Sequence, residues 1–165
     1  MPLSIPSDTV CYIDANILYY AFVETPPFSA VCRELLARVQ SGDLEGVTDV
    51  RALADALHKT MLAEVSARHH LPRGKLVGWL KRHREALTQL PQSEAVAHRL
   101  RRLRLRVLAV PGDILPEAMV IAQQSRLLTN DAIMVAMMRR NQITRLATND
   151  DDFDGLGEIQ VWKPR

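Results

Sequence analysis

The sequence has little of several things. It holds two cysteines, Cys11 and Cys32, which share no metal-ligand spacing. That excludes a disulfide scaffold and leaves both as expected core residues of a reducing compartment. No apolar run approaches the 18 residues of a membrane span; the one at residues 17–23 has seven. No Lys or Arg precedes Arg33, so a secretory leader is not expected, and the chain reads as cytoplasmic with no membrane partner. Aromatic residues make up 5%, too few for broad base stacking to dominate any nucleic-acid contact. There is no phosphate-cradling glycine loop, no Cys-x-x-Cys, no His-Glu-x-x-His and no Gly-x-Ser-x-Gly. The five histidines have no ligand spacing.

What is present fits one soluble domain over residues 1–165. At 47% hydrophobic and 24% charged, the composition excludes a disordered or collagen-like chain. The net charge of +2 hides a partition. Residues 68–106 hold eleven Lys/Arg against two Asp/Glu, a balance of +9; the remainder is −7. The basic middle is either a solvated helical face or a surface for a polyanion.

Hydrophobic patterning alternates strands and helices. Short apolar strands are expected at residues 10–13, 44–47, 106–110, 143–147 and 159–162. Helices are expected at 15–23, 29–40, from Val50 through Met61, from Leu71-Pro72 through Leu87, from Pro91, at 116–127 and at 132–138. Thr48 is the expected cap of the third of these, and Thr129 or Asn130 of the last. Trp79, with Leu76 and Leu80, is either core or an exposed partner surface. The order implies an α/β fold with a mainly parallel sheet of about five strands.

Parallel sheets bind ligands outside the carboxyl ends of their strands. Asp14 follows the first strand directly, and Asp150 follows the strand at 143–147. Asp131 stands at a helix start and Asp55 on another helix. Each has an ordinary reading: Asp131 as a favourable charge near a helix N-terminus, Asp55 as a partner of Arg51 one turn back. Together they describe a cleft of four carboxylates, which requires a compensating cation because like charges raise one another's pKa. Oxygen donors of this kind suit Mg²⁺ or Mn²⁺, which with such ligands supports phosphodiester hydrolysis. Asp150, Asp152, Asp154 and Gly155 also imitate the start of a calcium loop. Its twelfth position is Val161, where that loop needs a bidentate Glu.

Four segments in order carry a resemblance: Tyr12-Ile13-Asp14-Ala15-Asn16, residues 48–58 with Asp55, Leu128-Thr129-Asn130-Asp131-Ala132, and Thr148-Asn149-Asp150-Asp151-Asp152-Phe153. The chain resembles the PIN-domain nucleases, and within them the VapC-type toxins of toxin–antitoxin pairs. The resemblance implies a three-layer α/β/α fold and metal-dependent endonucleolytic cleavage of RNA to a 5′-phosphate and a 3′-hydroxyl. It implies Asp14, Asp55, Asp131 and Asp150 as the catalytic acids, with Asp14, Asp131 and Asp150 holding Mg²⁺ or Mn²⁺. Asn16 and Thr148 would orient ligands or waters. Arg101, Arg102 and Arg104 are the expected RNA contacts. The expected partners are an RNA substrate, a cognate antitoxin protein and a second copy of the chain. One departure is Asp55, where the family usually has Glu; a methylene fewer shortens its reach by roughly 1.3 Å. Two other readings fit the same residues: a non-catalytic RNA-binding module of this fold, and a metal-dependent nuclease acting on DNA.

Overall fold

The computed structural model describes residues 5–165. Five strands, β1 (Thr9–Ile13), β2 (Leu44–Asp49), β3 (Leu105–Leu108), β4 (Arg145–Ala147) and β5 (Gln160–Trp162), form one sheet in the order β3-β2-β1-β4-β5. Every pairing is parallel. Helices α1 (Ala15–Phe22) and α2 (Phe28–Ser41) connect β1 to β2. Helices α3 (Val50–His69), α4 (Arg73–Leu80) and α5 (Pro91–Arg102) connect β2 to β3. Helices α6 (Leu115–Ser125) and α7 (Thr129–Arg140) connect β3 to β4. The expected three layers and five parallel strands are therefore the observed ones.

Alternation along the strands builds the layers, because successive side chains leave opposite faces of a sheet. Cys11 and Ile13 pack on one face with Ile17 and Leu18 of α1, Leu35 and Leu36 of α2 and Val96 of α5. Tyr12, Val47 and Leu146 pack on the other with Ile121 of α6 and Val135 and Met138 of α7. Both cysteines are buried and unpaired. β2 lies close beneath α2: a Cβ on Gly46 would meet Val39 and Leu105 side-chain carbons at 2.7 Å, so only glycine fits there.

Three local expectations are corrected. Thr48 does not cap α3; it belongs to β2, buried, with its hydroxyl donating to the Ile13 carbonyl. The cap is Asp49, whose carboxylate accepts from the N–H groups of Arg51 and Ala52. Neither Thr129 nor Asn130 caps α7, which starts at Thr129 and has no side-chain cap. The helix from Leu71-Pro72 stops at Leu80, and a 3₁₀ turn over Arg84–Thr88 replaces its expected continuation. Leu76 is fully buried, while Trp79 is half-buried and stacks on His83, ring centroids 4.3 Å apart.

The sheet order turns about β1. The chain leaves β1 to add β2 and β3 on one side and returns to add β4 and β5 on the other. The carboxyl ends of β1, β2 and β4 thus meet at a topological switch point, where open α/β sheets bind ligands.

Candidate active site

Asp14 ends β1 and caps α1. A short polar side chain directly after an apolar strand does both, because its extended backbone leaves the carboxylate facing the first helical N–H groups. One oxygen accepts from the Ala15 N–H at 2.6 Å. The other accepts from Asn16 Nδ2 at 2.6 Å and from the Thr148 hydroxyl at 2.7 Å. The Thr148 oxygen in turn accepts from Asn16 Nδ2 at 3.0 Å and from the Asp150 N–H at 3.1 Å. Asn16 and Thr148 therefore hold Asp14 against the loop after β4, across the β1–β4 seam. Asp14 is only 9% exposed. Burial pushes its pKa up, opposed by the Thr148 hydroxyl and the Ala15 N–H.

A small cleft beside it is lined by Asp14, Asp49, Arg51, Asp55, Asn130 and Asp131, among others. Asp131 enters from the first turn of α7, where the helix dipole favours a carboxylate. Its pKa is nonetheless raised to about 6, first by burial and then by the charges of Asp150, Asp14 and Asp152, with Arg51 pulling the other way. Asp150 follows β4, and its Oδ1 accepts from the Asp152 N–H at 3.0 Å. Asp55 is on the exposed side of α3, 2.7 Å from Lys59 rather than paired with Arg51. The fold thus brings the four expected acids to the carboxyl end of the sheet.

It does not bring the expected arginines there. Arg102 and Arg104 flank the junction of α5 with β3, at the amino end of the sheet. The Arg104 N–H donates to Gln40 Oε1, and its guanidinium lies against Gly42, which ends α2. Arg101 borders an apolar groove with Leu53, Leu57 and Leu103. All three are exposed.

Sequence reasoning missed Asp49 and Arg51. Asp49 is 0% exposed, accepts from the Tyr12 hydroxyl at 2.7 Å and pairs with Arg51 at 2.5 Å. The available signal was its place at the end of an apolar strand, the same place Asp14 has after β1.

The donor set is one of oxygens. The cleft lining includes no Cys or His, and its sulfur-bearing side chain is Met134. Among the described residues no three of Asp, Glu, His and Cys converge closely enough to ligate one ion unaided. A hard divalent cation that keeps several waters fits this arrangement; a fully protein-caged or soft metal does not. The raised Asp131 pKa comes first from burial and second from the neighbouring carboxylates, so a cation beside it would favour its charged form.

The sequence profile of the PIN domain matches residues 11–159. The chain belongs to the PIN domain family. A curated relative of this PIN domain, Ribonuclease VapC6 of Methanocaldococcus jannaschii, is 37% identical over 59 residues. That match spans 36% of this chain and 39% of the relative's length. Among solved structures, VapC20 of Mycobacterium tuberculosis, described as a Sarcin-Ricin loop cleaving toxin, superposes with a TM-score of 0.61 at 16% identity, covering 92% of this chain and 98% of that one. VapBC2 of Rickettsia felis, solved with a DNA fragment from its promoter, gives 0.57 at 14%, covering 93% and 98%. At these identities the likeness is one of fold. Among the described residues no helix is long and apolar enough to cross a membrane.

Proposed function

We propose that this PIN domain, taken as one unit over residues 1–165, is a divalent-metal-dependent endoribonuclease and the toxin of a toxin–antitoxin pair. The observation that carries the reading is the convergence of Asp14, Asp55 and Asp131 on one cleft, with Asp150 electrostatically coupled to Asp131. The name of the partial relative, a ribonuclease, and the toxins among the structural neighbours support RNA as substrate and an antitoxin as partner.

In this reading Asp14, Asp131 and Asp150 would hold Mg²⁺ or Mn²⁺, in part through water, and the bound ion would supply Lewis acidity toward a phosphate oxygen and a water. Asn16 and Thr148 fix the Asp14 carboxylate, so that it pays no reorganisation when charge develops on the phosphate. Asp55 is a methylene shorter than Glu and is bonded to Lys59, so its part is to order water at the cleft mouth rather than to ligate directly. Bulk water is admitted on that exposed side, as hydrolysis needs. Arg101, Arg102 and Arg104 contact RNA at a distance from the cut, outside the cleft. The protein acts in the cytoplasm, as a homodimer or bound to its antitoxin.

The test is cleavage of total RNA by purified protein with Mg²⁺ or Mn²⁺, with 5′-phosphate and 3′-hydroxyl ends scored on the products. Excess EDTA should abolish cleavage and added cation restore it. Undiminished cleavage in EDTA removes the metal mechanism; cleavage of DNA alone removes the substrate assignment.

A further inference from the structure

A cleft lined by carboxylates repels the polyanion it is meant to cut. Among the described residues lining it, one is a cation: Arg51, in the first turn of α3. Its guanidinium is held from two sides. Nη2 lies 2.5 Å from Asp49 Oδ2, and Nη1 donates to the main-chain oxygen of Asn130 at 3.1 Å. Asp49 is itself immobilised by the Tyr12 hydroxyl and by two N–H groups of α3. The arm therefore spans the gap between the end of β2 and the start of α7, one residue from Asp131. Lys59, the nearest alternative, is engaged with Asp55 and lines a neighbouring pocket with Tyr19 and Tyr20.

The guanidinium is not fully used. Of its five N–H donors, Nε is buried without a hydrogen-bond partner. A buried donor takes a water or a ligand oxygen, and Arg145 Nε is orphaned in the same way; what sets Arg51 apart is its place in the cleft of acids. The planar fork of a guanidinium matches two oxygens of one phosphate, which an ammonium cannot do.

We propose that Arg51 is the phosphate-binding arm of the cleft, a guanidinium braced by Asp49 and Asn130 that takes the non-bridging oxygens of the substrate phosphate. The inference rests on the nuclease reading for the identity of the substrate, but its chemistry is that of any phosphate ester. A pure strut between β2 and α7 would use the same two contacts and bind no phosphate.

Two measurements decide it. The first follows the Arg51 Nε–H resonance in ¹⁵N-labelled protein with Mg²⁺, titrated with a nucleoside 5′-monophosphate and with the nucleoside alone. The monophosphate should shift it and the nucleoside should not; no shift with either, or equal shifts with both, overturns the proposal. The second compares cleavage and melting of Arg51→Gln and Arg51→Lys. Arg51→Gln should lose about a hundredfold in kcat/KM, and Arg51→Lys should recover part of that with a melting temperature near the parent's. Cleavage within threefold of the parent, or lost only in proportion to the unfolded fraction, overturns it. The two readings fail separately. A parent protein that cleaves no RNA ends the nuclease assignment, while the titration still reports on Arg51.

Discussion

The two sides of the cleft are built differently. On the β1–β4 side, Asp14 accepts three hydrogen bonds from Ala15, Asn16 and Thr148, so its position is set by neutral donors. On the side of β2, α3 and α7, charge has the larger part: Asp49 adds Arg51 to its neutral donors, Asp55 pairs with Lys59, and Asp131 is half-buried near other carboxylates. Neutral hydrogen bonds hold a group in one geometry at any ionic strength, whereas charge pairs respond to salt, pH and cations. The first side is prepared in advance, and the second waits for a counter-charge.

The sharpest way to break the prepared side is Asp14→Asn. Cleavage per folded molecule should fall about a thousandfold, about 4 kcal/mol of barrier, because a charge aimed at the reacting centre is lost while the shape stays. Single-turnover rates with Mn²⁺ check it, and near-parental rates would take Asp14 out of the mechanism. Thr148→Val is milder. It leaves every acid in place and removes a hydroxyl that both donates to Asp14 and accepts from Asn16 and Asp150. A loss of about ten- to a hundredfold in activity or cation affinity is expected, the usual cost of removing an outer partner of a ligand. Mn²⁺ titration followed by electron paramagnetic resonance separates the two.

The waiting side should show itself in the pH dependence of stability without cation. Asp131 has its pKa raised to about 6 from 3.8. A carboxyl raised in the folded state contributes its full stability below the unfolded value and loses it as pH rises through the folded one. Stability in EDTA should therefore fall between about pH 4 and pH 6.5, by on the order of 1 kcal/mol once solvent screening of this half-exposed group is allowed for, read as a falling melting temperature. Asp131→Asn should flatten that part of the profile, and Mg²⁺ should restore the parent's stability at pH 7. A parent profile identical to that of Asp131→Asn would contradict the shift.

The smallest effect on chemistry belongs to Arg101, Arg102 and Arg104. Reversing all three to Glu should leave kcat unchanged and raise KM. The slope of log affinity against log salt should flatten by roughly 2, at about 0.7 per phosphate contact on a single strand. A fall in kcat would place them nearer the cut than the sheet topology does.

How far the sequence could be read follows the same division. The placement of Asp14 and Asp150 at the carboxyl end of the sheet was legible, because Asp14 directly follows β1 and Asp150 comes three residues after β4. The strands and most helices were legible from periodicity. Asp49 was missed because Thr48, one residue earlier, is an equally good cap by composition; the choice depends on where β2 stops, which register with β1 and β3 decides. The partner of Arg51 was misassigned for a related reason. Helical spacing offers Asp55, but the guanidinium reaches back to Asp49 and across to Asn130, a residue 79 positions away. The arginines at the end of α5 read as a nucleic-acid surface, and charge along a chain does not say which end of the sheet it will occupy.

The hydrogen bond from Thr148 to Asp14 joins residues 134 positions apart. It has a consequence in time. At roughly 5–20 residues per second, the ribosome takes about ten to thirty seconds to make this chain. For most of that interval Asp14 exists without Thr148, Asp150 or the strand that carries them into place. A growing chain beside messenger and ribosomal RNA thus lacks the hydroxyl that holds Asp14 until Thr148 has been made. Assembly from distant segments acts as a delay on the nuclease we propose, timed by synthesis itself.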